Sequence, residues 1–176
     1  MDPEIRRILE ELEESLDPVS SEAMDGLIRE ILRARRVVTV GRGRSGLMAS
    51  AFAQRLMHLG VDARTWGEPT LPAVAGGDLV VACSGTGTTA STLAVAQAAK
   101  EAGALIAAVT RSASTPLARM SRIRLILPAT VEKSVQPQRS VFEQSLLVVF
   151  DALVIRIAAR LKVDAPRLAM RHSNLE

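Results

Sequence analysis

The sequence predicts an α/β fold of three layers, a five-stranded parallel sheet covered by helices on both faces and preceded by N-terminal helices. Three observations predict it. Short apolar, β-branched runs alternate with helix-prone stretches along most of the chain, the pattern of right-handed crossovers between parallel strands. Two of those runs end abruptly in glycines and hydroxyls, just where a helix is due to begin. The 176 residues, 48% of them hydrophobic, suffice for a single domain over 1–176 with a real core and make disorder a poor description of the chain.

The first 35 residues read as two helices. Ile5, Ile8, Leu9, Leu12 and Leu16 recur at helical spacing until Asp17-Pro18 breaks the pattern. Ser20 or Ser21 can cap the next helix, which carries Met24, Leu27, Ile28, Ile31 and Leu32 on one face. Val37-Val38-Thr39-Val40 is then a short buried strand, followed by Gly41-Arg42-Gly43-Arg44-Ser45-Gly46 and a helix to about Gly60. Val61 to Trp66 gives a second strand and Leu79 to Ala82 a third, ending in Ser84-Gly85-Thr86-Gly87-Thr88-Thr89. A helix from about Thr89 to Ala102, a strand over Leu105 to Val109, a short helix near Pro116 to Met120 and a strand over Ile123 to Leu127 follow. After a loop from Pro128 to Arg139, an amphipathic helix runs from about Val141 to Leu161, and residues 163–176 form a C-terminal tail.

Composition narrows the function classes. Aromatic residues make up 2% of the chain and tyrosine is missing, which disfavours base stacking on single-stranded nucleic acid. The net charge of +3 is carried mostly by arginines that are scattered rather than clustered, so small anions fit it as well as a nucleic acid does, and an ordinary solvated surface is the plain alternative. Cys83 is the only cysteine and sits at the end of an apolar run, the setting of a buried, inert thiol. Met1-Asp2-Pro3-Glu4 is not a secretory leader, and Asp151 and Arg156 interrupt the most hydrophobic segment, so a cytoplasmic protein without a membrane partner is expected.

Both glycine-rich loops stand between a strand and a helix start, at the carboxyl edge of the sheet where ligands of such folds bind. The first N–H groups of a helix lack internal partners and carry partial positive charge, which suits an anion, phosphate above all. Simple helix capping is the plain alternative for any one hydroxyl of Ser45, Thr88 or Thr89. Ser84, Thr86, Thr88 and Thr89 together, threaded by two glycines, exceed what a cap requires and read as phosphate ligands. Gly41 to Gly46 also matches the dinucleotide fingerprint G-x-G-x-x-G. That scheme wants an acidic residue at the end of the second strand, where Glu68 comes late and Asp62 early, and it leaves the second loop unexplained.

Gly43-Arg44-Ser45-Gly46 after the first strand and Ser84-Gly85-Thr86-Gly87-Thr88-Thr89 after a later one, in this order of elements, resemble a sugar isomerase (SIS) domain. Arg55-Leu56-Met57-His58-Leu59-Gly60, Gln136-Pro137 before Phe142-Glu143-Gln144, and the terminal Arg171-His172-Ser173-Asn174-Leu175-Glu176 are similar, more narrowly, to the 6-phospho-3-hexuloisomerases. The resemblance spans nearly the whole chain. It implies interconversion of arabino-hex-3-ulose 6-phosphate and fructose 6-phosphate without metal or organic cofactor, in a homotetramer. It also implies that Ser45, Ser84, Thr86 and Thr89 hold the substrate phosphate. Two positions depart from the family pattern: Thr88 stands where a glutamate is usual, and Gln138-Arg139 where a small or apolar pair is usual, so the substrate itself stays open.

Moving a carbonyl from C3 to C2 passes through an enediol and needs a group that takes and returns a proton. Glu143 is the candidate base by resemblance and by its place in the first turn of a long helix. Ser140-Val141-Phe142-Glu143 also reads as a capping box, in which Glu143 would only accept from the Ser140 N–H. His172, in the tail, is the first candidate for a proton shuttle or ring-opening acid, delivered to a neighbouring subunit. His58, late in a crossover helix, is the second; the plain alternatives are a packing or capping role for His58 and a solvated or disordered tail residue for His172. Arg44 is read as a contact for phosphate or sugar hydroxyls, and Glu68 as a surface residue or a second acid. Another phosphosugar isomerase or a noncatalytic sugar-phosphate-binding protein are the competing classes. The shortness of the N-terminal region speaks against a helix-turn-helix regulator.

Overall fold

In the computed structural model, which describes residues 1–128, 134–164, 170–172 and 174, two helices precede an alternation of strands and helices. They are α1 (Pro3–Leu16) and α2 (Ser21–Arg33), then β1 (Arg36–Gly41), α3 (Gly43–His58), β2 (Ala63–Thr65), β3 (Asp78–Cys83) and α4 (Ala90–Glu101). β4 (Leu105–Thr110), α5 (Pro116–Met120), β5 (Ile123–Ile126) and α6 (Ser140–Leu161) complete them. Most of the tail lies outside the described residues. The five strands form one parallel sheet in the order β2-β1-β3-β4-β5.

Alternation along the strands sorts the core into two clusters. Val37, Leu79, Val81, Ala107, Val109 and Leu125 point to one face and meet Leu27 and Ile28 of α2, Phe52 and Leu56 of α3, and Leu146 and Phe150 of α6. The rings of Phe52 and Phe150 stack with centroids 4.1 Å apart. Val38, Val40, Val80, Ala82, Ile106 and Ala108 point to the other face and meet Ala96 and Ala99 of α4 and Leu117 of α5. The small residues of α4 let it lie close against the sheet, and burial of both strand faces explains why these runs read as continuous apolar stretches rather than alternating ones. The predicted three layers and five strands stand as expected. β2 is the shortened element, because the Val61 N–H closes the end of α3 on the Leu56 carbonyl before the strand begins.

Strand order reverses between β1 and β3, the place where open parallel sheets hold ligands. Gly41 and Cys83, the last residues of those strands, are paired across the ladder, so the two glycine-rich loops leave the sheet side by side. A Cβ on Gly46 would stand 2.8 Å from the Gly41 carbonyl oxygen, and one on Gly41 would stand 2.9 Å from the Gly46 Cα. Only glycine at both positions lets α3 start this close to β1.

Candidate active site

The starts of α3, α4 and α6 meet around a pocket of about 140 Å³ at this edge. Arg42, Gly43, Arg44 and Ser45 line it from α3, Ser84, Gly85, Thr86 and Thr89 from the loop into α4, and Arg139, Phe142 and Glu143 from α6. Cys83 forms its floor and Arg111, just beyond β4, its far wall. The volume is well under the roughly 300–1,000 Å³ that encloses a drug-sized ligand.

None of the three helices is capped by a side chain of its own. The residues in the cap position are Arg42, Thr89 and Arg139, and no side-chain cap bond is made at any of them. Thr89 is a good capping residue, yet its hydroxyl is shared with Ser84 Oγ at 2.9 Å. Ser84 Oγ in turn accepts from the Gly87 N–H at 3.1 Å, which fixes the loop with the first N–H groups of α4 left for a ligand. Gly87 has φ +61°, and a Cβ there would collide with Thr115. Gly85 lies flat against Phe142, where a Cβ would come within 3.0 Å of the ring. The simple capping reading of Thr88, Thr89 and Ser45 therefore fails. Thr88 is exposed and outside the lining of the pocket, and its hydroxyl donates to Thr86 Oγ1 at 3.0 Å.

Glu143 is not a helix cap. The Ser140 N–H donates instead to the Pro137 carbonyl at 3.1 Å, and the Glu143 side chain, 12% exposed, turns into the pocket. Arg44 Nε stands 2.8 Å from Glu143 Oε2, yet that oxygen is buried and accepts no well-aligned hydrogen bond, so the two meet as charges. Arg44 Nη1 donates to Ser140 Oγ at 3.0 Å, and Arg44 thus faces the carboxylate and the start of α6 rather than the hydroxyl loop. Arg139 holds the left-handed conformation at φ 75°, a costly one for any residue with a Cβ and one that clusters at functional sites.

Two arginines complete the positive rim. Arg42 lies over the Trp66 ring at 5.7 Å, and Arg111 Nε donates to the Gly85 carbonyl at 3.2 Å, bracing the hydroxyl loop from β4. Arg111 was missing from the sequence-level candidates, although residues that directly follow each strand of a parallel sheet are the ones to search. Glu68 Oε1 accepts from the Thr65 N–H at 2.9 Å and holds a turn beside β2, away from the pocket. Burial pushes the Cys83 thiol far above its ordinary range, in keeping with an inert thiol.

The two histidines are not brought to Glu143 within the chain. His58 ends α3, and 13 residues of helix at about 1.5 Å each separate it from Ser45 by roughly 20 Å. His172 stacks on it, ring centroids 4.3 Å apart, while Arg171 Nη1 donates to the His58 carbonyl at 3.3 Å. Gly60 makes room for that arginine, since a Cβ there would collide with its guanidinium. Residues 173, 175 and 176 of the terminal motif lie outside the described residues.

The family described as SIS domain matches residues 30–156. The chain belongs to the SIS domain family. It is 36% identical over 179 residues to the 3-hexulose-6-phosphate isomerase of Bacillus subtilis, covering 98% of this chain and 97% of that one. The 3-hexulose-6-phosphate isomerase of Mycobacterium gastri is 38% identical over 175 residues, with 96% and 88% covered. A solved structure from Methanococcus jannaschii, inferred to have the molecular function of 3-hexulose-6-phosphate isomerase, superposes with a TM-score of 0.85 at 32% identity over 98% of this chain and 97% of that one. The SIS match begins within α2 and ends within α6, so it takes in both loops and Glu143 and leaves out α1 and the tail.

Proposed function

We propose that the protein is an isomerase interconverting arabino-hex-3-ulose 6-phosphate and fructose 6-phosphate through an enediol. The observation that carries this is Glu143: a carboxylate at a helix start that caps nothing, turned into an anion-binding pocket and held by Arg44. The full-length relatives of that activity support the same substrate. Ser45, Ser84, Thr86 and Thr89, with the free N–H groups of α4, hold the phosphate. Glu143 takes the proton from C2 of the 3-ketose, the C3 carbonyl becomes an enediol oxygen, and return of the proton to C3 with loss of the O2 proton leaves the carbonyl at C2. Every step is a proton transfer, so electrons and atoms balance within the sugar and no redox partner is required.

A second acid must serve the oxygens, and we assign it to His172, with His58 as the alternative, delivered from a neighbouring copy. The pocket seats the phosphate and leaves the sugar open to such a neighbour. Ile5 and Leu9 on α1 and Leu147, Val148 and Ile155 on α6 stay exposed, apolar faces of the kind a homotetramer covers. No helix among the described residues is long and apolar enough to cross a membrane, and a cytoplasmic enzyme fits the reaction. The test is conversion of synthetic hexulose 6-phosphate to fructose 6-phosphate, followed by exchange of the C2 proton with deuterated solvent. Turnover with exchange is expected. Tight binding with neither turnover nor exchange would replace the isomerase by a noncatalytic binding protein.

A further inference from the structure

The N-terminal helix lies outside the SIS match, yet one of its two buried polar side chains is hydrogen-bonded to the segment that leads into α6. Glu11, 8% exposed, is one of only two residues that α1 buries, the other being Ser15. Its carboxylate accepts three hydrogen bonds at 2.8 Å each, from Ser134 Oγ, from the Val135 N–H and from Gln136 Nε2. Burial works to raise the pKa of this carboxyl, but the donors outweigh it and hold the group below its ordinary value, so the ionised form is the one these contacts select. Ser15 Oγ and Ser145 Oγ, 2.9 Å apart and buried, tie the same helix to α6.

Three residues after Gln136 comes Arg139, and the intervening turn is closed by the Ser140 N–H on the Pro137 carbonyl. A non-glycine residue persists at φ 75° only where its surroundings over-determine it. Here the restraints are α6 on one side and the Glu11 contacts on the other. We propose that Glu11 is a positioning residue of the active site, holding residues 134–136 so that Arg139 stands on the rim of the pocket beside Glu143. This rests on the isomerase reading for its effect on turnover. It also gives Gln136 a part: its amide is a donor to Glu11.

The test uses the full chain and four proteins: wild type, Glu11→Gln, the reversed pair Glu11→Gln with Gln136→Glu, and Ser15→Ala. Glu11→Gln replaces an acceptor-only group by an amide, and misplacement of the rim is expected to lower kcat/KM for hexulose 6-phosphate about 10- to 100-fold. The reversed pair restores a carboxylate–amide contact and recovers most of the loss. Ser15→Ala loosens the same helix and lowers melting temperature without touching kcat/KM. A folded Glu11→Gln protein with wild-type kcat/KM, an equal loss in Ser15→Ala, or no recovery in the reversed pair overturns the proposal. Amide hydrogen exchange over residues 134–140 is read in the same proteins and does not depend on the substrate. It should rise about tenfold in Glu11→Gln and fall again in the reversed pair, and unchanged exchange also overturns the proposal. Absence of turnover in the wild type, with the exchange pattern as expected, would instead remove the isomerase reading and leave the positioning intact.

Discussion

Helix starts away from the pocket and helix starts around it are built differently. α1, α2 and α5 begin on Asp2, Ser20 and Thr115, and each side chain accepts from the backbone of its own first turn. α3, α4 and α6 begin on Arg42, Thr89 and Arg139 and have no such bond. The first group satisfies itself; the second leaves its N–H groups for something else, and all three of its members open on one cavity. The difference teaches that a missing cap is informative when it recurs at one place. Thr89 shows it best, because a residue that suits the capping role gives its hydroxyl to Ser84 instead.

The contrast yields opposite expectations at the two kinds of helix start. Glu143→Gln should have the largest effect, a loss of about 10²–10⁴-fold in kcat, as for removal of a positioned general base. Because Glu143 caps nothing, melting temperature should stay near wild type, and near-normal turnover with C2 exchange would return the residue to a structural part. Next comes Ser84→Ala with Thr86→Ala. Each lost hydrogen bond to a charged group is worth roughly 1.5–3 kcal/mol, read as a rise in KM, and unchanged affinity for phosphosugar in a folded variant would remove the loop from the binding site. At the capped starts the reverse holds. Ser20→Ala should cost about 1 kcal/mol of stability and a few degrees of melting temperature with kcat and KM unchanged, and a loss of turnover there would break the contrast.

The smallest effect concerns pH. Glu11 is held below its ordinary carboxyl value of 4.5, so its contribution to stability is present above that value and is lost as pH falls through the lowered one. The difference in stability between wild type and Glu11→Gln should therefore shrink as pH falls below 4.5. A difference that is flat over this range would mean that the carboxylate charge is not what the three donors recognise.

The fold was legible because both faces of the strands are buried, which leaves continuous apolar runs punctuated by glycine. The short helix near Pro116 to Met120 lies where expected, and of the two serines that could cap α2 it is Ser20 that does so. The pocket was half legible. Ser45, Ser84, Thr86, Thr89 and Glu143 announce themselves by residue type beside a helix start, whereas Thr88, indistinguishable in composition, turns to Thr86. Arg111 and Glu11 carried no such signal, since one follows a strand with no glycine loop and the other is a charged residue on a charged helix. Their parts come from tertiary approach over 26 and over 123 to 125 positions of sequence. The αL turn at Arg139 was equally hidden, because glycine is the residue that normally marks it.

Within one chain and among the described residues, the pocket is lined by no lysine and no histidine; beside arginines its ionisable side chains are Glu143 and the buried Cys83 thiol. Its attraction for anions comes from arginine side chains and from three backbone dipoles, each equivalent to roughly half a positive charge. A dipole made of peptide groups has no proton to lose and no rotamer to change. On the proposed reading the electrostatic grip on phosphate is permanent, and what varies with acidity is the ligand, whose second ionisation lies at about 6. Affinity should consequently rise as the phosphate of the sugar loses its second proton.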